Sequence, residues 1–133
     1  MFVDASALMA VIAREPEHEA LLARLEAAPA RLTSPIGVFE TVAAVARVFA
    51  VAPSDARPVV LDALDALGVV VREVPAEIVD AAQDAFERYG KGQGHPAQLN
   101  MRDCFAYACA RRWGVPLLYK GGDFARTDIR SAL

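Results

Sequence analysis

Four short apolar runs that alternate with helical segments restrict this chain to a layered α/β fold. Met1-Phe2-Val3, Ala30-Arg31-Leu32-Thr33, Val69-Val70-Val71-Arg72-Glu73-Val74 and Val115-Pro116-Leu117-Leu118-Tyr119 read as strands. Between them stand helix-start signals. Ser6 is placed to cap a helix from about Ala7 to Arg14, and Pro16 opens a second through about Ala28. Ser34-Pro35 starts a third, with a cap and a first-position proline. Pro53-Ser54-Asp55 starts a fourth, closed by Gly68, and Pro75 opens a fifth, closed by Gly90. Asn100 caps a sixth, which carries Arg111 and Arg112 in its last turn and stops at Gly114. Such alternation predicts parallel strands with helices on both faces, and right-handed crossovers place all strand carboxyl ends on one rim. The expected fold class is α/β, a three-layer α/β/α domain over residues 1–133. Its central, mainly parallel sheet has four or five strands, the fifth a short edge strand in the terminal segment that follows Thr127-Asp128-Ile129.

The apolar fraction of 55% is high, and much of it is alanine and valine, which suits tightly packed helices around a buried sheet. No apolar run is long enough to span a bilayer, and no basic region followed by an apolar core marks a signal peptide. Cys104 and Cys109 lie five apart on one helix with no CxxC pair, so they read as small core residues of a cytoplasmic protein. The net charge of −3 is uneven: residues 1–90 hold 7 basic and 14 acidic residues, residues 91–133 hold 7 basic and 3 acidic. This asymmetry points to an anionic partner near the C-terminal third.

Four acids fall where the topology brings chain segments together. Asp4 and Asp123 follow the first and fourth strands and so sit on the carboxyl rim, where open α/β sheets bind ligands. Asp103 lies in the first turn of the sixth helix and Glu40 in the second turn of the third. Each has a plainer reading by itself: Asp4 as a turn residue, Asp103 as a capping acid, Glu40 as a surface charge. Together in one cleft they would repel, and some would stay protonated unless a cation were present. Mg²⁺, with Mn²⁺ as a substitute, is the chemically sensible filling, because hard cations take oxygen ligands. A metal-activated water needs no histidine base, which suits a chain with two histidines. Ser6 is a candidate accessory residue, able to hydrogen-bond a ligand carboxylate. Lys91, Arg102, Lys120 and Arg126 are candidate contacts for substrate phosphates. The nearly unbroken apolar stretch from Val42 to Ala52 calls for a cover, either another subunit or a binding partner.

The opening Met1-Phe2-Val3-Asp4-Ala5-Ser6-Ala7 resembles that of PIN-domain ribonucleases of the VapC toxin type. So do the stretch from Gly94 to Ala108, which contains Leu99-Asn100-Met101-Arg102-Asp103-Cys104, and the stretch from Leu117 to Ile129, which contains Gly121-Gly122-Asp123-Phe124. The resemblance runs nearly end to end and in order. It implies a PIN-like fold and a Mg²⁺-dependent endoribonuclease, the toxin of a bacterial toxin–antitoxin pair. It also implies a homodimer and a cognate antitoxin whose tail wraps the toxin. By position, the catalytic and metal-site acids of that family map to Asp4, Glu40, Asp103 and Asp123, and Asp128 becomes a candidate fifth, outer acid. Many relatives carry Asp or Asn where Gly122 stands; the departure bears on position 122 and not on Asp123. Two other readings stay open from the residues: a catalytically silent module whose acids dock a basic partner, and a phosphoacceptor signalling domain. The second lacks an acceptor aspartate at the end of the third strand, which closes on Val74-Pro75.

Overall fold

The strand–helix alternation forms as the spacing predicts. In the computed structural model, which describes residues 1–133, the strands are β1 (Phe2–Val3), β2 (Arg31–Thr33), β3 (Val69–Val71) and β4 (Leu117–Leu118). They make one parallel sheet in the order β3-β2-β1-β4, with Phe2 in register with Leu32 on one side and Leu117 on the other. The helices are α1 (Ala5–Ile12), α2 (His18–Ala27), α3 (Pro35–Phe49), α4 (Pro53–Ala66), α5 (Ile78–Tyr89) and α6 (Met101–Arg112). The chain moves outward from β1 to β3, then returns across the sheet and adds β4 on the far side of β1. The direction of winding therefore reverses between β1 and β4, and crevices open at the carboxyl ends of strands at such a reversal.

Successive strand residues point to opposite faces, and two cores follow. Phe2 and Leu117 join α5 and α6 in one; Val3 and Leu118 join α1 to α4 in the other. β1 and β4 are thus buried on both faces, which explains why they read as unbroken apolar runs. Cys104 and Cys109 are free thiols buried beside α5, as core residues. No single helix is long and apolar enough to cross a membrane.

Several boundaries differ from the sequence reading. Ser6 does not cap α1. Asp4 does, accepting the Ser6 backbone N–H at 2.9 Å, and Ser6 lies inside the first turn. The aspartate wins because the strand ends directly against the helix, leaving no turn between them. The third strand stops at Val71, although the Arg72 N–H still reaches the Thr33 carbonyl. Pro75 to Glu77 form a turn ahead of α5, and α2 begins at His18, beyond a turn that follows Pro16. The ordered fourth strand is shorter than Val115–Tyr119, and its ladder is extended by the Pro116 carbonyl, which accepts the Phe2 N–H at 2.8 Å. The expected edge strand in the terminal segment after Ile129 is reduced to a single parallel bridge between Leu117 and Ser131.

Candidate active site

Three helix starts and one strand end meet at the reversal between β1 and β4. Ser34 caps α3, its Oγ accepting the Gly37 N–H at 3.1 Å, which orients the first turns that carry Glu40. Asn100 and Asp103 form a reciprocal capping box at α6. The Asn100 Oδ1 accepts the N–H groups of Arg102 and Asp103, and the Asp103 Oδ2 accepts the Asn100 N–H at 2.8 Å. After β4, Lys120 and the Gly121-Gly122 turn, in which Gly121 takes a positive φ of 104°, carry the chain to Asp123.

These elements enclose a cavity of about 400 Å³ whose lining includes Asp4, Glu15, Glu40, Asp103 and Asp123, with Ser6, Arg47, Asn100 and Lys120 among the other polar groups. All four acids expected from the sequence line it. Glu15, in the link between α1 and α2, and Arg47 on α3 are additions. Arg47 stands beside no motif, and Glu15 stands before Pro16, a helix-start signal that does not mark a site. No three of the acids are drawn into a closed coordination cage. They surround shared space instead.

Asp4 lies deepest, only 6% exposed. Burial raises its pKa, opposed by hydrogen bonds from Ser6 and the backbone. Both the N–H and the hydroxyl of Ser6 donate to Oδ2, and the Ser6 Oγ in turn accepts the Lys120 N–H at 2.9 Å. This relay ties the end of β4 to the carboxylate at the end of β1. Burial, together with Asp4 and Asp103 nearby, pushes Glu40 up to about 7, while Arg102 opposes the shift. Burial and the charges of Asp4 and Asp123 push Asp103 up to about 6, against the lowering effect of its capping bond. The donor set is entirely oxygen, and no lysine or arginine pairs directly with Asp4, so the cavity suits a hard divalent cation. Asp4, Glu40, Asp103 and Asp123 are the groups that would hold it.

The basic candidates divide. The Arg102 Nε lies 3.3 Å from Glu40 Oε1, although Arg102 is not itself a lining residue. Lys120 bridges Glu15 and Glu17, the latter at 3.3 Å. Lys91 lies on the exposed turn after α5, outside the lining residues. Arg126 also lies outside them and donates to the Pro96 carbonyl at 2.8 Å. Asp128 is not brought to the acids. It accepts from Tyr107 and pairs with Arg88 at 3.1 Å, which pulls its pKa down to about 2. The residue follows the last motif closely in sequence, but the short helical turn at Phe124–Arg126 carries the chain away from the cavity toward α5 and α6.

The PIN domain family model matches residues 1–130. A VapC ribonuclease of Rhizobium meliloti is 40% identical, with 96% of this chain and 98% of the relative covered. Ribonuclease VapC42 of Mycobacterium tuberculosis is 39% identical over 99% of this chain and 98% of its own length, and VapC30 of the same organism is 41% identical over 97% and 95%. Among solved structures, Mycobacterium tuberculosis VapC20, described as a sarcin-ricin loop cleaving toxin, superposes with a TM-score of 0.70. That match covers 96% of this chain and 95% of VapC20 at 21% identity, a likeness of fold. With its parallel sheet wound back on itself and its acids gathered at the point of reversal, the chain belongs to the PIN-domain family, within the group of VapC ribonucleases.

Proposed function

We propose that this chain is a divalent-cation-dependent endoribonuclease, the toxin of a type II toxin–antitoxin pair, using Mg²⁺ or Mn²⁺ in the cytoplasm. The observation that carries the reading is a buried carboxylate, Asp4, opening onto the same cavity as Glu40, Asp103 and Asp123. A bound divalent cation supplies a lowered pKa for water and positive charge opposite the phosphodiester. Asp4, held by Ser6, and Asp103, held by the Asn100 cap, are its fixed ligands, with Glu40 and Asp123 completing the set. Lys120, which lines the cavity, and Arg102, which pairs with Glu40, are the basic groups that meet the RNA phosphates.

The likeness to VapC ribonucleases over the whole chain supports the RNA substrate and a cognate antitoxin. The exposure of Phe39 (73%), Val48 (56%) and Phe49 (51%) on α3 supports a homodimer or antitoxin contact there. The test is cleavage of total RNA by the purified chain. Mg²⁺ or Mn²⁺ supports cutting, and chelator, Asp4→Asn or Asp103→Asn abolishes it. If the two variants cut as well as the parent, the site is wrongly assigned. If antitoxin binds tightly and no divalent ion supports cutting, the chain is a docking module.

A further inference from the structure

Arg102 does not line the cavity but reaches one of the acids that do. It is the one basic side chain in ion-pair contact with a carboxylate of the proposed metal set. Its backbone is fixed in the first turn of α6 by the N–H bond to Asn100 Oδ1 at 2.8 Å. Its side chain is held only through a single contact from Nε to Glu40 Oε1 at 3.3 Å, without the paired geometry that makes an arginine–carboxylate bridge strong. The arginine side chain is 45% exposed and the glutamate 20%. The partner is thus a mostly buried acid that Asp4 and Asp103 repel, and the arginine is a half-solvated group free to leave.

From this geometry we infer that Arg102 is a built-in, displaceable counter-ion for Glu40, which a divalent cation must push aside to gain its glutamate ligand. The arginine neutralises the acid while the cavity lacks a cation, and competes with the cation for the same oxygen. It therefore sets how much divalent ion is needed before the site assembles. The inference rests on the reading of the cavity as a cation site.

The test needs no RNA. Mn²⁺ is titrated into chelator-stripped full-length protein, with binding read by calorimetry and by the rise in thermal unfolding temperature. Arg102→Gln is expected to bind Mn²⁺ roughly three- to fivefold tighter than the parent, the size expected for releasing one half-exposed ion pair. Arg102→Lys keeps the charge and stays near the parent value. Arg111→Gln, which removes an equal charge two to three turns further along α6, also leaves the affinity unchanged. Unchanged or weaker binding by Arg102→Gln overturns the inference, as does equal tightening by Arg102→Lys or Arg111→Gln. If parent and variant alike bind no Mn²⁺, the metal-site reading itself fails, and the inference with it; if both bind equally, only the inference fails. Matching unfolding temperatures of parent and Arg102→Gln in chelator confirm that the exposed side chain is not needed for folding.

Discussion

At the residue scale, Asp4 and Asp103 each serve two ends. Asp4 caps α1 and lines the cavity; Asp103 completes the capping box of α6 and lines the same cavity. The capping bonds hold the carboxylates where burial would otherwise turn them out to water. Ser6 acts through Asp4, so Ser6→Ala is expected to lower divalent-ion affinity or cleavage about 10–100-fold while leaving the fold intact, measured by titration and by RNA cutting. The raised acids also set a pH dependence. Between about pH 4 and 7 the folded, metal-free protein holds protons on Glu40 and Asp103 that the unfolded chain has already released. Stability in chelator should therefore rise as pH falls from about 7 to 5, by less than the shifts alone imply because both carboxyls are part-exposed and solvent screens them. Glu40→Gln should flatten that slope, and thermal unfolding across this range checks it. Asp128 works in the opposite sense and at lower pH. Its contribution is present above about pH 4 and is lost as pH falls through about 2, and exposure keeps it small.

At the element scale, the start of α3 decides where Glu40 stands. Thr33, fully buried at the end of β2, donates its hydroxyl to the Val3 carbonyl at 3.0 Å and so ties β2 to the end of β1. Gly37 packs against this joint, and a Cβ there would stand 2.6 Å from Thr33 Oγ1. Gly37→Ala should therefore destabilise the protein by roughly 1–3 kcal/mol, read by denaturant unfolding, because a buried hydroxyl or the helix itself must shift. The sheet depends on equally tight packing. Leu117 is fully buried between β1 and α6, and Leu117→Ala should cost about 2–5 kcal/mol by the same measurement.

At the scale of the whole molecule, the acids cluster on one rim, while apolar side chains stand exposed on α3 and beyond it. Phe39, Val48, Phe49 and Val51 are more exposed than large apolar groups usually are in a solitary domain. Phe49→Asp is expected to weaken self-association or antitoxin capture while leaving the thermal unfolding of the isolated chain nearly unchanged. Light scattering and co-purification with the co-expressed antitoxin measure the two contacts. Loss of neither would place both contacts elsewhere on the surface.

Local sequence determined the element types. Short apolar runs can only be strands when helix caps crowd them, and Ser34-Pro35 and Asn100-x-x-Asp103 mark helix starts by the hydrogen bonds they make. That was enough to set Asp4, Glu40, Asp103 and Asp123 apart as candidates, because parallel strands share one carboxyl rim. The rest required long-range pairing. Asp128 is close to Asp123 in sequence, yet Tyr107 and Arg88 hold it elsewhere, whereas Glu15 belongs to no site motif and still lines the cavity. The order of strands, with β4 beside β1, belongs to the tertiary structure alone. It follows from which apolar faces fit together over the whole chain, and it is what brings residues 4, 40, 103 and 123 around one space.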